Sequence, residues 1–157
     1  MTNESSTNRT APVNFAEQAP KAFKALIGFD AAARAALDPT LVELVLIRAS
    51  QLNGCAYCLH MHTTDARKAG ETDERMHMVA VWHEAEHFFT PAEQAALALT
   101  EAVTRISGRV PEEVYARAAA HFDEPALAGL IALICAINTW NRIALVTGKV
   151  AGTDERG

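Results

Sequence analysis

The chain has 157 residues, half of them apolar and 21% charged, with 14 Lys and Arg against 19 Asp and Glu for a net charge of −5. That length suits one domain, and the apolar content excludes disorder over most of it. The acidic balance and the lack of any Lys/Arg cluster argue against nucleic acid and against an anionic membrane surface as partners.

Residues 1–12 are polar and read as a disordered tail. No apolar segment follows them as a secretory signal would require, so the expected location is the cytoplasm. Period-2 alternation is nearly absent and helical periodicity recurs, so residues 13–157 are expected to form a single all-α domain of about six to eight helices. Residues 15–37 carry short apolar clusters (Phe15, Phe23, Leu26, Ile27, Phe29) and an Ala-rich run, which predict one or two short helices. Asp38-Pro39 opens the next helix: the aspartate caps free amides and the proline suits the first helical position. Leu41, Leu44, Val45 and Ile47 give that helix a buried face, and Asn53-Gly54 stops it.

A further helix starts at about Cys55 and runs to Lys68 or Ala69, where Gly70 ends it. Thr72 opens another that reaches about His83. Thr90-Pro91-Ala92-Glu93 has the form of a capping box and begins a helix that fades near Gly108. Residues 111–121 form the next, and the last runs from about Pro125 to Val146. Its longest apolar stretch, Ala126 to Ile137, falls short of the roughly 18 residues of a membrane span and reads as a buried helix.

The chemistry concentrates at Cys55-Ala56-Tyr57-Cys58, immediately after the Gly54 stop. An odd total of three cysteines does not suggest a disulfide scaffold, and a close pair in a reducing compartment points to redox or metal chemistry. Free N–H groups and the helix dipole favour negative charge at a helix N-terminus, so a thiolate there is expected to form more readily. The spacing lets one sulfur attack a substrate and the other resolve the product as a disulfide. His62 follows Cys58 by four residues and shares its helical face, where it can accept or relay a proton. Glu43 interrupts the run Leu41–Ile47, and such a carboxylate must reach water or find a partner, for which His62 is the candidate.

Other features have plainer readings. Zinc on Cys55, Cys58, His60 and His62 is a rival, but His60 and His62 point to different sides of a helix and more distant ligands such as His77 or His121 would be needed. His83-Glu84-Ala85-Glu86-His87 matches a metalloprotease pattern yet runs straight into the helix start at Thr90, so it reads as a connecting turn. Cys135, amid apolar residues, is expected in the core and inert. Trp82 and Trp140 are expected to pack. Asn141 and Arg142 break an apolar helix and can cap, pair across a subunit interface, or face water. His121 suits a helix C-terminus.

Glu43, eleven residues, Cys55-Ala56-Tyr57-Cys58, three residues and His62 together resemble the core motif of AhpD-like alkylhydroperoxidases, within the wider carboxymuconolactone decarboxylase family. The segments Trp82–Thr104 and Ile137–Arg142 are similar to that family too, so the likeness spans roughly residues 39–146. The resemblance implies a helical fold that assembles as a trimer or hexamer. It implies hydroperoxide reduction with electrons from a dithiol such as a lipoyl group, and no metal, flavin or nucleotide. In that scheme Cys58 attacks the peroxide, Cys55 donates a proton and closes the disulfide, His62 activates Cys58 and Glu43 completes the relay. Members best known for this activity often carry a histidine inside the C-x-x-C, where this chain has Tyr57. Two alternatives stand beside it: a decarboxylase-like enzyme on a small acid or lactone, and a redox-sensing helical oligomer without catalysis.

Overall fold

The architecture begins with capped helix starts. In the computed structural model, which describes residues 10–154, Asn14, Asp38, Cys55, Thr72, Thr90 and Asp123 each accept a backbone N–H of the helix they precede. Each cap satisfies a donor that the helix itself leaves free. The eight helices of the described residues are α1 (Phe15–Gln18), α2 (Pro20–Arg34), α3 (Pro39–Asn53), α4 (Ala56–Lys68), α5 (Asp73–Met78), α6 (Pro91–Thr104), α7 (Glu112–Ala119) and α8 (Glu124–Val146). Two 3₁₀ turns, Val79–Glu84 and Glu86–Phe88, connect α5 to α6. The described residues contain no strand, as the periodicity requires. The expected tail lies outside the described residues for 1–9, while residues 10–12 are exposed and non-helical.

Helix α3 is the centre. Nine of its fifteen residues are buried, and it packs on α4, α6 and α8. One side (Leu41, Val42, Val45, Leu46, Ala49) joins α8 residues Leu130, Leu133, Ile134 and Ile137 in the larger core. The other (Leu44, Ile47) joins Ala66, Met76, Val79, Trp82, Phe89 and Leu97 in the second core. A helix that serves two cores must be apolar on most of its circumference, and this explains the near-continuous apolar run at Leu41–Ile47.

Helix α8, although long and apolar enough by length and composition to cross a membrane, packs chiefly on α2 and α3. Gly129 lets α2 approach closely: a Cβ there would meet the Ala33 carbonyl oxygen at 3.1 Å. One expectation fails on this helix. Cys135 is exposed rather than in the core, because the core takes Leu133, Ile134, Ala136 and Ile137 and leaves the cysteine's direction to solvent.

Candidate active site

The site grows from a single turn of chain. Gly54 has φ 65°, the left-handed conformation that ends α3 and that glycine adopts without steric cost. The reversal places Cys55 at the N-cap of α4, where its Sγ accepts the Cys58 N–H at 3.4 Å. Both cysteines are free thiols, each 1% exposed, and they pack with Ala144 of α8 and with Tyr57. Cys58, His62 and Ala66 form the buried face of α4, so the four-residue spacing does put thiol and imidazole on one side.

The thiol chemistry differs from the expectation drawn from helix position. Burial, and then the neighbouring Cys55, push the Cys58 thiol up to about 12, against a hydrogen bond from Asn141 that pulls it down. Desolvation of the anion outweighs the helix N-terminus, because the sulfur lies inside the fold and not at its surface. Cys58 is a neutral thiol at rest.

Behind it stands the acid–base pair. Glu43 Oε2 lies 3.4 Å from His62 Nδ1, and both atoms are buried without a hydrogen-bond partner among the described residues. Leaving two such atoms unmatched costs about 1–3 kcal/mol each, a cost that folds carry at working sites. Glu43 also faces the Arg34 guanidinium, 3.8 Å from its Oε1, and Arg34 in turn holds Asp30 with Nε 2.6 Å from the carboxylate. Arg34 and Asp30 come from α2, which the sequence reading did not connect with the site. Glu43, His62 and Asp65 bring their possible ligand atoms within 4.8 Å of one another, and this cluster contains neither cysteine. The guanidinium on the same carboxylate supplies positive charge there already.

A cavity of about 440 Å³ opens onto Cys58 and His62. Cys58, His62, Tyr57 and Met61 of α4 form its floor, Phe15, Phe23 and Ile27 one wall, and Trp140, Ile143 and Ala144 the other. Arg34, Asp30, Lys149 and Asp154 supply its polar edge. Cys58 lines the cavity and Cys55 lies behind it. Trp140, expected to pack, does so edge-on against Phe23 with ring centroids 5.6 Å apart, and by doing so becomes part of the cavity wall.

The remaining candidates lie elsewhere. His60 and His77 line a separate depression between α3, α4 and α5. His83 and His87 fall on different 3₁₀ turns, and His83 is an exposed partner of Glu101 at 3.1 Å, so the pattern is a connection as expected. Trp82 is buried and donates to Glu101 at 2.8 Å. Arg142 faces solvent, whereas Asn141 is fully buried among Ser50, Asn53 and Cys58. A signal for that polar group existed: Glu43, Ser50 and Asn53 are polar residues recurring along one side of an apolar helix.

Comparison with known proteins places these residues in context. Residues 17–102 match the carboxymuconolactone decarboxylase family. The uncharacterized protein YdfG of Bacillus subtilis (strain 168) is 42% identical over 143 residues, 90% of this chain and 97% of that protein. The uncharacterized YnjA of Escherichia coli (strain K12) is 32% identical over 101 residues, 64% of this chain and 55% of that protein. Among solved structures, an Agrobacterium tumefaciens protein of unknown function, proposed to be the antioxidant defence protein AhpD, superposes with TM-score 0.85 at 31% identity, covering 92% of this chain and all of that one. The debrominase Bmp8 shares the fold alone, with TM-score 0.77 at 19% identity over 87% of this chain and 74% of that chain.

Proposed function

Because the chain belongs to the carboxymuconolactone decarboxylase family and has the AhpD-like fold, we propose that it is a thiol-dependent reductase of organic hydroperoxides. The observation that carries this reading is the position of Cys58: of the two sulfurs, it alone lines the cavity, with His62 beside it and Glu43 behind. The apolar and aromatic walls favour an organic peroxide over a small hydrophilic one.

The geometry supports the following steps. His62 presents Nδ1 to Glu43, which leaves Nε2 to take the Cys58 proton. Glu43, held on its other side by Arg34, faces the imidazolium that forms. The thiolate attacks the outer peroxide oxygen, the O–O bond breaks, and the leaving alkoxide takes the proton from the His62 imidazolium to become the alcohol. Cys58 is now a sulfenic acid. The Cys55 thiol attacks that sulfur, water leaves, and a Cys55–Cys58 disulfide forms. An external dithiol, with a lipoyl group as the expected type, reduces the disulfide and is itself oxidised. The scheme suits the reducing cytoplasm.

The test is peroxide consumption with a reduced lipoyl dithiol as electron source, for the parent protein and Cys58→Ser side by side. Turnover in the parent and none in the variant is expected. A variant that consumes peroxide at the parent rate overturns the proposal, and any activity that survives loss of both cysteines would belong to decarboxylase-type chemistry.

A further inference from the structure

His62 is 5% exposed, and its Nδ1 has no hydrogen-bond partner among the described residues. Glu43 Oε2, buried and equally without one, lies 3.4 Å away. Two buried polar atoms that face each other without bonding call for a third body between them. Asp65 is the group that joins them. It follows His62 by three residues on α4 and so stands on the same side of that helix. The possible ligand atoms of Glu43, His62 and Asp65 all lie within 4.8 Å of one another.

The spacing has the size of a coordination sphere. Zinc binds imidazole nitrogen and carboxylate oxygen at about 2.0–2.2 Å, which sets neighbouring ligands of a tetrahedron about 3.4 Å apart. Nδ1 and Oε2 already stand at that separation. Asp65 reaches the same ion by turning its side chain inward, and the cavity lined by His62 gives access to the fourth position. The charges agree. The carboxylates of Glu43, Asp65 and Asp30 meet one guanidinium, that of Arg34, which leaves a formal surplus of two negative charges. Lys149 and Asp154 at the cavity edge add one charge of each sign. Arg34 does not compete for the ligand atom, because it meets Glu43 at Oε1, 3.8 Å away, and leaves Oε2 to the ion.

We propose that Glu43, His62 and Asp65 form a binding site for a divalent transition-metal ion of the zinc class. The imidazole selects against calcium and magnesium, which prefer oxygen ligands throughout. The site goes beyond the peroxidase reading and has a consequence for it. An imidazole that binds metal through Nδ1 carries its proton on Nε2 and has no lone pair left to accept the proton of Cys58. The loaded chain is therefore the form in which the relay is shut.

The test is a zinc titration, followed by calorimetry, of the full chain freed of metal by a chelator and carrying Cys55→Ser and Cys58→Ser, so that the paired thiols do not compete. One zinc per chain is expected, and cobalt in its place should give the visible spectrum of a tetrahedral ion with nitrogen and oxygen ligands. In the same background Asp65→Asn and Glu43→Gln should each weaken binding at least about tenfold, since even loss of an outer-shell partner costs that much. Either substitution carries the test if the other does not fold. No binding to the cysteine-free chain overturns the proposal, including the case in which the parent binds zinc through its thiols. Unchanged affinity in the Asp65 and Glu43 variants overturns it as well, and would put the ion on surface histidines. The readout uses no peroxide and no thiol, so failure of the peroxidase reading would show separately in Cys58→Ser.

Discussion

Cys58 is a thiol that burial holds back from ionising. Its burial, with Cys55 alongside, raises the thiol from its ordinary value near 9 to about 12, so the folded protein keeps a proton that the unfolded chain gives up. The sign of the linkage follows. Between those values the unfolded state binds fewer protons, so stability is full below pH 9 and falls as pH rises toward 12. The parent should lose resistance to urea between pH 8.5 and 10.5 more steeply than Cys58→Ala, which has no thiol to ionise there. Parallel pH profiles of the two proteins would show that the thiol is not held neutral. At this scale the sequence was informative where spacing is local. Cys58 and His62 share a helical face because they are four apart, and Glu43 stood out against apolar neighbours. Arg34 was not legible, and Asn141 was legible only as a polar break in an apolar helix, because only tertiary packing brings α2 and α8 to the same point. The helix N-terminus was a poor guide to Cys58's acidity, since burial is a property of the whole fold.

At the scale of elements, the site depends on how α3 ends and α4 begins. Gly54 absorbs the reversal in a left-handed conformation, and open space surrounds the position a Cβ would take. Gly54→Ala therefore meets no clash, and its cost is purely backbone: about 1 kcal/mol, or a fall in Tm of about 3 °C for a domain of this size. Thermal unfolding followed by circular dichroism checks it, and an unchanged Tm would mean that the turn relaxes without strain. Because Cys55 is the next residue and caps α4, the same variant should loosen the contact between Cys55 Sγ and the Cys58 N–H. Helix starts of this kind were legible: Asp38-Pro39 and the Thr90–Glu93 box cap as their chemistry requires. The tail of α5 was less so, since the chain kinks at Val81 and continues as 3₁₀ turns under the demands of packing Val79 and Trp82. Cys135 misled for a related reason. Apolar neighbours on every side of α8 hide which direction faces solvent, and only the placement of α2, α3 and α6 decides it.

At the scale of the molecule, the second core is closed by a charge. Glu101 of α6 accepts from Arg48 of α3 and from Trp82 at 2.8 Å each, and from His83, binding α3, α6 and the 3₁₀ connection at one carboxylate. Burial alone would raise its pKa, but the hydrogen bonds from Trp82, His83 and Arg48 outweigh burial and hold the carboxyl below its ordinary value. A depressed folded pKa gives stability that is present above the unfolded value and lost as pH falls through the folded one. The parent should therefore weaken on acidification below about pH 4.5, the usual range for a glutamate. Glu101→Gln keeps the shape but leaves the Arg48 guanidinium, only 11% exposed, without its counter-charge. Removing one partner of a buried pair costs about 3 kcal/mol, so the variant should unfold at lower urea at pH 7. It should also lose less on going from pH 5 to pH 3.5, because the group whose protonation weakens the parent is gone. Urea titrations of both proteins at pH 7, 5 and 3.5 test the pair of effects together. Equal acid sensitivity in the two would place the acid-labile carboxylate elsewhere, with Glu93 and Glu71 around Arg75 as the next charged node to examine, since Arg75 joins the same core through the face of Phe89.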